Sequence, residues 1–263
     1  MADLVCRGVR LHVQQLGAPG LREGATPVVF LHGLVMDNLS SWYFTVANAV
    51  AQRAPVLLYD LRGHGKSERT ATGYALSEMV ADLDAVLTAA QVRRPAVLVG
   101  NSFGGLLALA FARAHPGRAA ALCLVDAHFG DDQFGEQMAA TLRLKGEERD
   151  RRIAESFKSW LGRNSQRKRS RLAETAQALV GGTTLVADLA ATPPLPPAEL
   201  AQIKVPVLAL FGERSDLRAL GEERLKALPL GRVEIVPGCT HSILWEATET
   251  VRRRVLAFVE EVG

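Results

Sequence analysis

Residues 97–112 leave little choice of local structure. Val97-Leu98-Val99 is an apolar, largely β-branched run, Gly100-Asn101-Ser102-Phe103-Gly104-Gly105 interrupts it, and Leu106-Leu107-Ala108-Leu109-Ala110-Phe111-Ala112 resumes with apolar helix formers. A strand must become a helix within a few residues. Glycines at 100 and 104 remove the Cβ atoms that would block so sharp a turn, and the G-x-S-x-G spacing leaves the Ser102 hydroxyl held up at its tip. A strand that feeds directly into an apolar helix is the unit of a parallel sheet covered on both faces.

The rest of the chain repeats that unit. Val28-Val29-Phe30-Leu31, Val56-Leu57-Leu58-Tyr59, Ala96-Val97-Leu98-Val99, Ala121 to Val125, Val207 to Phe211 and Val233 to Val236 are short apolar runs separated by helix-length patterns. Ser77 is placed to cap a helix through Ala90, Phe103 to His115 is a helix stopped by Pro116-Gly117, and a last helix is expected over Thr248 to Val262. Val5 to Leu16 alternates as an antiparallel strand or hairpin at the sheet edge. The regularity fails between Asp131 and Thr192, where the chain is highly charged before it closes on Pro193-Pro194-Leu195-Pro196-Pro197. These patterns predict an α/β core over 1–130, a helical lid over 131–196, and the remainder of the core over 197–263.

A chain of 263 residues, 48% hydrophobic, is long enough for one sizeable core. Its formal charge of +3 gives no reason to expect nucleic acid or an anionic membrane as partner. The start lacks the basic and apolar pattern of a secretory signal, and no stretch is apolar for the roughly 18 residues of a membrane span, so the expectation is a cytoplasmic protein. Cys6, Cys123 and Cys239 are odd in number, widely separated and without metal-ligand spacing, which implies neither a disulfide framework nor a metal site. Cys123 and Cys239 read as structural.

A serine hydroxyl is a weak nucleophile at neutral pH and needs a base, and the base needs an orienting acid. Gly212-Glu213-Arg214-Ser215-Asp216 follows one later strand and Pro237-Gly238-Cys239-Thr240-His241 follows the next, so Ser102, Asp216 and His241 all stand just beyond strand ends, where open α/β sheets bind ligands. The loop Leu31-His32-Gly33-Leu34 can aim the Leu34 N–H beside that of Phe103 at a developing oxyanion. Asp60 to Ser67 reads as a structural turn with Arg62 paired to a carboxylate, and His32 and His64 as hydrogen-bonding fixtures of loops. Trp42, Phe134, Phe157, Trp160 and Trp245 are the aromatic candidates for an acyl pocket.

His32-Gly33, Asp60-Leu61-Arg62-Gly63-His64-Gly65-Lys66-Ser67, Gly100-Asn101-Ser102-Phe103-Gly104-Gly105, Asp216 and His241 occur in the order found in the α/β-hydrolase fold superfamily, which the chain resembles over nearly its whole length. The resemblance implies a mostly parallel sheet of about eight strands, a cap inserted after the sixth, and a Ser-His-Asp triad. Family members commonly have two residues between the glycine and the acid after the seventh strand, whereas three separate Gly212 from Asp216. Asp126 also ends a strand, at a position that serves as the acid in some relatives, so it is the alternative to Asp216. Asn101 and Trp245-Glu246 are similar to residues of C–C bond hydrolases that cleave ring-opened dienoic acids, although Ser242 stands where those enzymes usually carry an aromatic residue.

The expected function is a serine hydrolase that cleaves a small-molecule carboxylic ester or thioester through an acyl-enzyme, with no cofactor. Acyl transfer or thioesterase action in a biosynthetic pathway, C–C hydrolysis, cofactor-free peroxidation and ligand reception on a hydrolase fold are the alternatives. From Arg143 to Arg171 the chain carries eleven basic and four acidic residues, a charge excess suited to a coenzyme A or acyl-carrier-protein thioester, or to an ordinary solvated helix face.

Overall fold

The computed structural model describes residues 2–21, 24–131, 133–144 and 166–263, with backbone alone for 166–173. Each expected apolar run is a strand: β1 (Ala2–Cys6), β2 (Val9–Leu16), β3 (Val28–Leu31), β4 (Val56–Tyr59), β5 (Ala96–Asn101), β6 (Ala119–Val125), β7 (Val207–Gly212) and β8 (Gly231–Val236). They form one eight-stranded sheet in the order β1-β2-β4-β3-β5-β6-β7-β8. The β1/β2 and β2/β4 pairs are antiparallel and all others parallel. The register aligns Leu31 with Gly100, Asn101 with Val125, and Gly212 with Val236, so the loops that follow these strands open on the same edge.

Burial on both faces explains why these strands read as continuous apolar runs. Val29 and Leu31, Leu98, and Leu122 and Leu124 pack into one core layer. Their neighbours Val28 and Phe30, Val97 and Val99, and Ala121 and Cys123 pack into the other. Helices α3 (Leu76–Ala89) and α4 (Phe103–Ala114) cover the first face. The second face is covered by α1 (Ser40–Trp42), a π-helical turn (Tyr43–Ala47) and α2 (Asn48–Val50), together with the C-terminal α11 (Thr248–Val262). In α11, Val251, Val255, Phe258 and Val259 recur at helical spacing and are the buried ones. Between β6 and β7 lie α5 (Phe134–Arg143), α6 (Gln166–Gly182), α7 (Leu185–Ala190) and α8 (Pro197–Leu200); α9 (Arg218–Leu225) and α10 (Ile243–Glu246) follow β7 and β8.

Helix α3 begins one residue before the expected cap. Ala75 is the extended residue at its start, and no side chain caps it. Leu76 packs against the core from the first helical position, and Ser77 falls inside the first turn. Among the described residues, no helix is long and apolar enough to cross a membrane.

The Asp60–Ser67 turn is built as a bracket. The Asp60 carboxylate accepts from the N–H groups of Leu39 (2.8 Å) and Lys66 (2.7 Å), and the Ser67 hydroxyl donates to the Asp60 carbonyl at 2.5 Å. Arg62 finds its carboxylate in Asp82 through two parallel bonds, Nε at 2.9 Å and a terminal nitrogen at 2.8 Å. Arg7 adds a third bond to Asp82 at 3.0 Å. Both members of the Arg62–Asp82 pair are buried. Asp82→Ala would strand a buried guanidinium and is expected to cost about 3–5 kcal/mol in urea unfolding. Asp84→Ala, which removes the half-exposed pair with Arg118, is expected to cost less than about 1 kcal/mol.

Two histidines tie this turn to the loop after β3. His32 Nε2 accepts from the Leu61 N–H at 2.9 Å and His64 Nε2 accepts from the Val35 N–H at 2.8 Å. Their Nδ1 atoms donate to the carbonyls of Gly33 (2.6 Å) and Arg62 (2.8 Å). Each ring therefore uses one nitrogen as donor and the other as acceptor, which only neutral imidazole can do. Burial, with His32 alongside, pushes His64 down to about 3. Below pH 6.5 an unfolded chain takes up a proton at residue 64 that the folded chain refuses, so stability falls as pH drops from about 6.5 towards 3. For this group the expected loss between pH 7 and pH 5 is about 2 kcal/mol, and His64→Gln should flatten the pH dependence of urea unfolding by that amount.

Candidate active site

Ser102 is the single residue between β5 and α4, at φ +52° and ψ −120°. That backbone conformation costs about 1–3 kcal/mol for a residue with a Cβ and persists only where neighbours over-determine it. Here they do. A Cβ on Gly104 would run into the Leu31 carbonyl, and one on Gly100 into the Gly104 carbonyl, so only glycine lets α4 start this close to the sheet. The Ser102 N–H donates to the Val125 carbonyl at 3.2 Å, and the Ser102 carbonyl accepts from Gly105 (3.1 Å) and His128 (3.2 Å).

The hydroxyl so presented faces the histidine that the sequence singles out. Ser102 Oγ lies 3.2 Å from His241 Nε2. The loop carrying His241 is held by Glu246, whose carboxylate accepts from the Thr240 N–H at 2.7 Å and hydroxyl at 2.9 Å. The other ring nitrogen, Nδ1, lies 2.9 Å from Asp126 Oδ1. A carboxylate can only accept there, so Nδ1 carries the proton and Nε2 is left basic towards Ser102.

Of the two carboxylates that the sequence offers, Asp126 and not Asp216 is the one hydrogen-bonded to His241. The reason lies in the loop after β7. The Ser215 N–H turns back to the Gly212 carbonyl at 3.0 Å, and this brings Ser215 rather than Asp216 against the acid, its hydroxyl donating to Asp126 Oδ1 at 2.5 Å. The Gly212 N–H donates to Asp126 Oδ2 at 2.7 Å. Asp126 is buried at φ +46°, and these donors hold its carboxylate under the imidazole. Asp216 lines the neighbouring cavity and acts on His241 through its charge. Burial works most strongly against a charged His241, but the Asp126 hydrogen bond and the charges of Asp126, Asp216 and Glu246 together outweigh it, and its pKa is raised above 6.5.

Leu34, one of the two residues whose amides the sequence offers to an oxyanion, stands on the loop after β3. Leu34 and Ser102 line the same cavity, and neither the Leu34 nor the Phe103 N–H has a hydrogen-bond partner among the described residues. The loop is pinned by Asp37, which accepts from the Gly33 N–H at 2.9 Å and from Asn101 Nδ2 at 3.2 Å. Val35, bonded to His64, adopts φ +66°, unusual for a β-branched residue.

Two spaces meet at Ser102. The larger, about 1080 Å³, is lined by apolar side chains from the β6–β7 helices, among them Phe134, Met138, Leu142, Val180 and Val186. The smaller, about 60 Å³, lies beneath the β3 loop and is lined by Asp37, Asn101, Val125, Ser242 and Trp245 among others. Phe134 is thus in the large pocket and Trp245 in the small one. Trp42 is in neither: it is fully buried in the core, against Phe30, and donates from Nε1 to the Leu31 carbonyl at 3.0 Å. Phe157 and Trp160 lie outside the described residues. So do the basic residues from Lys145 to Arg163, while Arg143 lines the large pocket.

His128 had no sequence signal and sits in the large pocket, its ring 4.8 Å from that of Phe134 and 6.1 Å from that of His241. Burial and the neighbouring His241 push it down to about 3, so it enters the site as a neutral donor and acceptor. Burial pushes the Cys239 thiol up and Cys123 up to about 12, away from thiolate chemistry.

Comparison with known proteins bears on the family and the fold. Residues 28–254 match the model of the alpha/beta hydrolase family. A protein of Bacillus subtilis (strain 168), provisionally named 2-succinyl-6-hydroxy-2,4-cyclohexadiene-1-carboxylate synthase, is 27% identical over 98% of this chain and 97% of its own length. The enol-lactonase from Burkholderia xenovorans LB400 is similar in fold, with a TM-score of 0.76 at 23% identity over 98% of this chain and all of that one. Est816, an N-acyl homoserine lactone degrading enzyme, matches with a TM-score of 0.74 at 25% identity over the same shares. The chain belongs to the alpha/beta hydrolase family of enzymes.

Proposed function

We propose that the chain is a serine hydrolase that cleaves carboxylic esters or thioesters of apolar acids through an acyl-enzyme on Ser102. The observation that carries this reading is the unbroken line from Asp126 Oδ1 through both nitrogens of His241 to Ser102 Oγ, ending at the mouth of an apolar pocket. His241 Nε2 takes the hydroxyl proton as Oγ bonds to the carbonyl carbon, and the Leu34 and Phe103 amides receive the developing oxyanion. The proton then passes from Nε2 to the leaving oxygen or sulfur as its bond to the carbonyl carbon breaks. Asp126 holds the ring in the working tautomer and stabilises the imidazolium. The acyl group lies against the helices between β6 and β7, which act as a lid. That Est816 degrades a lactone, a cyclic ester, supports the bond class. A carrier-borne thioester is the substrate that the basic residues between Arg143 and Arg171 would favour.

The test is a stopped-flow burst of p-nitrophenol from a short-chain p-nitrophenyl ester, with the acylated protein detected by mass. Ser102→Ala is expected to abolish the burst and lower turnover roughly 10³- to 10⁶-fold without loss of fold. A variant that keeps more than about a tenth of the wild-type rate refutes the assignment.

The two carboxylates give different expectations. Asp126→Asn should cost on the order of 10⁴-fold in turnover, because an amide favours the wrong imidazole tautomer. Asp216→Asn removes only a charge that helps hold the His241 proton. It should leave turnover within about ten-fold and move the acid limb of kcat/KM to lower pH. In the wild type that limb should lie above pH 6.5, since His241 must lose its proton to act as base. A crippled Asp216→Asn beside an active Asp126→Asn would reverse the assignment.

A further inference from the structure

An imidazole is a costly residue to place in an apolar wall, and His128 stands in one with nothing to bond to. It follows β6, half-buried between Ala127 and Phe129, which are both buried. Its backbone N–H is anchored to the Ser102 carbonyl at 3.2 Å, so its side chain starts beside the nucleophile. The ring lies 4.8 Å from that of Phe134 and 6.1 Å from that of His241, and all three residues line the large pocket. Neither ring nitrogen of His128 has a hydrogen-bond partner among the described residues.

Nearby polar side chains of the same wall are engaged locally. Gln137 Nε2 donates to Gln133 Oε1 at 2.8 Å, the Thr141 hydroxyl donates to the Gln137 carbonyl at 2.9 Å, and Asp131 Oδ1 accepts from the Gln133 N–H at 3.0 Å. An apolar chain that fills the pocket expels water from the imidazole and leaves its nitrogens unsatisfied, whereas a chain with a hydroxyl at that point restores the bond. A neutral ring offers one donor and one acceptor. A hydroxyl answers either, a keto oxygen only the donor, and a carboxylate is better held by a cation.

We propose that His128 is a specificity-determining residue that hydrogen-bonds a hydroxyl on an otherwise apolar acyl chain, so that the preferred esters are those of hydroxy acids. The proposal rests on the acyl-enzyme reading and names its acyl class. The hydroxyl belongs close to the carbonyl, because Ser102 Oγ is 3.2 Å from His241 Nε2 and the His128 ring is the neighbour of the His241 ring.

The test compares kcat/KM for p-nitrophenyl butyrate, 2-hydroxybutyrate and 3-hydroxybutyrate, each divided by the rate of alkaline hydrolysis of that ester to remove its intrinsic reactivity. The wild type is expected to favour one of the hydroxy esters roughly ten-fold over butyrate. His128→Phe keeps a flat ring against Phe134 and removes only the nitrogens, and His128→Leu removes the ring. In both, the preference is expected to fall to about one. The ratio cancels any general loss of activity, so equal losses on all three esters would leave it unchanged and would make His128 a support for Ser102 alone. That result overturns the proposal, as do a wild type that does not favour either hydroxy ester and a preference that survives in His128→Phe. If one variant fails to fold by circular dichroism, the other carries the comparison, and the wild-type preference is read without either. A wild-type enzyme with no burst and no acylated serine would instead overturn the acyl-enzyme reading.

Discussion

The closeness with which α4 approaches the ends of β3 and β5 is the constraint on which the site depends. Side chains at 100 or 104 would collide with backbone carbonyls, and one at 105 with the Cβ of Ala127. With all three positions bare, the first turn of α4 rests on three strand ends at once. That contact forces Ser102 into its positive φ, and the hydrogen bonds to Val125 and His128 lock the strained residue to the end of β6. The same step leads directly into Asp126. Ser102 and Asp126 are therefore fixed to each other by backbone, and His241 has only to reach a gap whose width is already set.

Electrostatics around this gap is divided between two kinds of buried group. Asp126 is a buried carboxyl group with its partners in place: a backbone amide, a hydroxyl and an imidazole N–H surround its two oxygens. A buried carboxylate without such donors would give up its charge and with it the ability to hold His241 basic. His32 and His64 are the opposite case. They hold the loop after β3, each ring spending one nitrogen as donor and the other as acceptor on a backbone group. A positive charge on either ring would leave a backbone N–H facing another donor, so this part of the frame is built on hydrogen bonds that only a neutral ring can make.

The sequence made the sheet legible because strands buried on both faces admit only apolar residues, and it made Ser102 and His241 legible because sharp turns after strands carry recognisable glycines. The acid was less legible. Asp126 and Asp216 both follow strands, and the choice turns on one extra residue in the Gly212–Asp216 loop, which curls so that Ser215 occupies the place a shorter loop would give to the acid. Composition could not separate Trp42 from Phe134, since an aromatic residue looks the same in a core as in a pocket; the Trp42 indole N–H is satisfied by the Leu31 carbonyl and has no need of a cavity. His128 gave no signal because its role depends on the loop after β6 folding back over Ser102, a long-range event with no local pattern.

The two spaces at Ser102 differ in where their walls come from. The small chamber is made by loops at the strand ends, Gly33 to Asp37, Asn101, Val125 and Ser242, whose positions follow from the sheet register. The large pocket takes part of its wall from such loops and part from α5, α6 and α7, which hang between β6 and β7 and have no strand to dictate their residues. Met138 and Val180 line the large pocket and not the small one, whereas a side chain at Gly104 would meet the Leu31 carbonyl. The fold thus constrains the groups at the strand ends tightly, while the described helices between β6 and β7, whose residues no strand dictates, contribute apolar wall to the larger space.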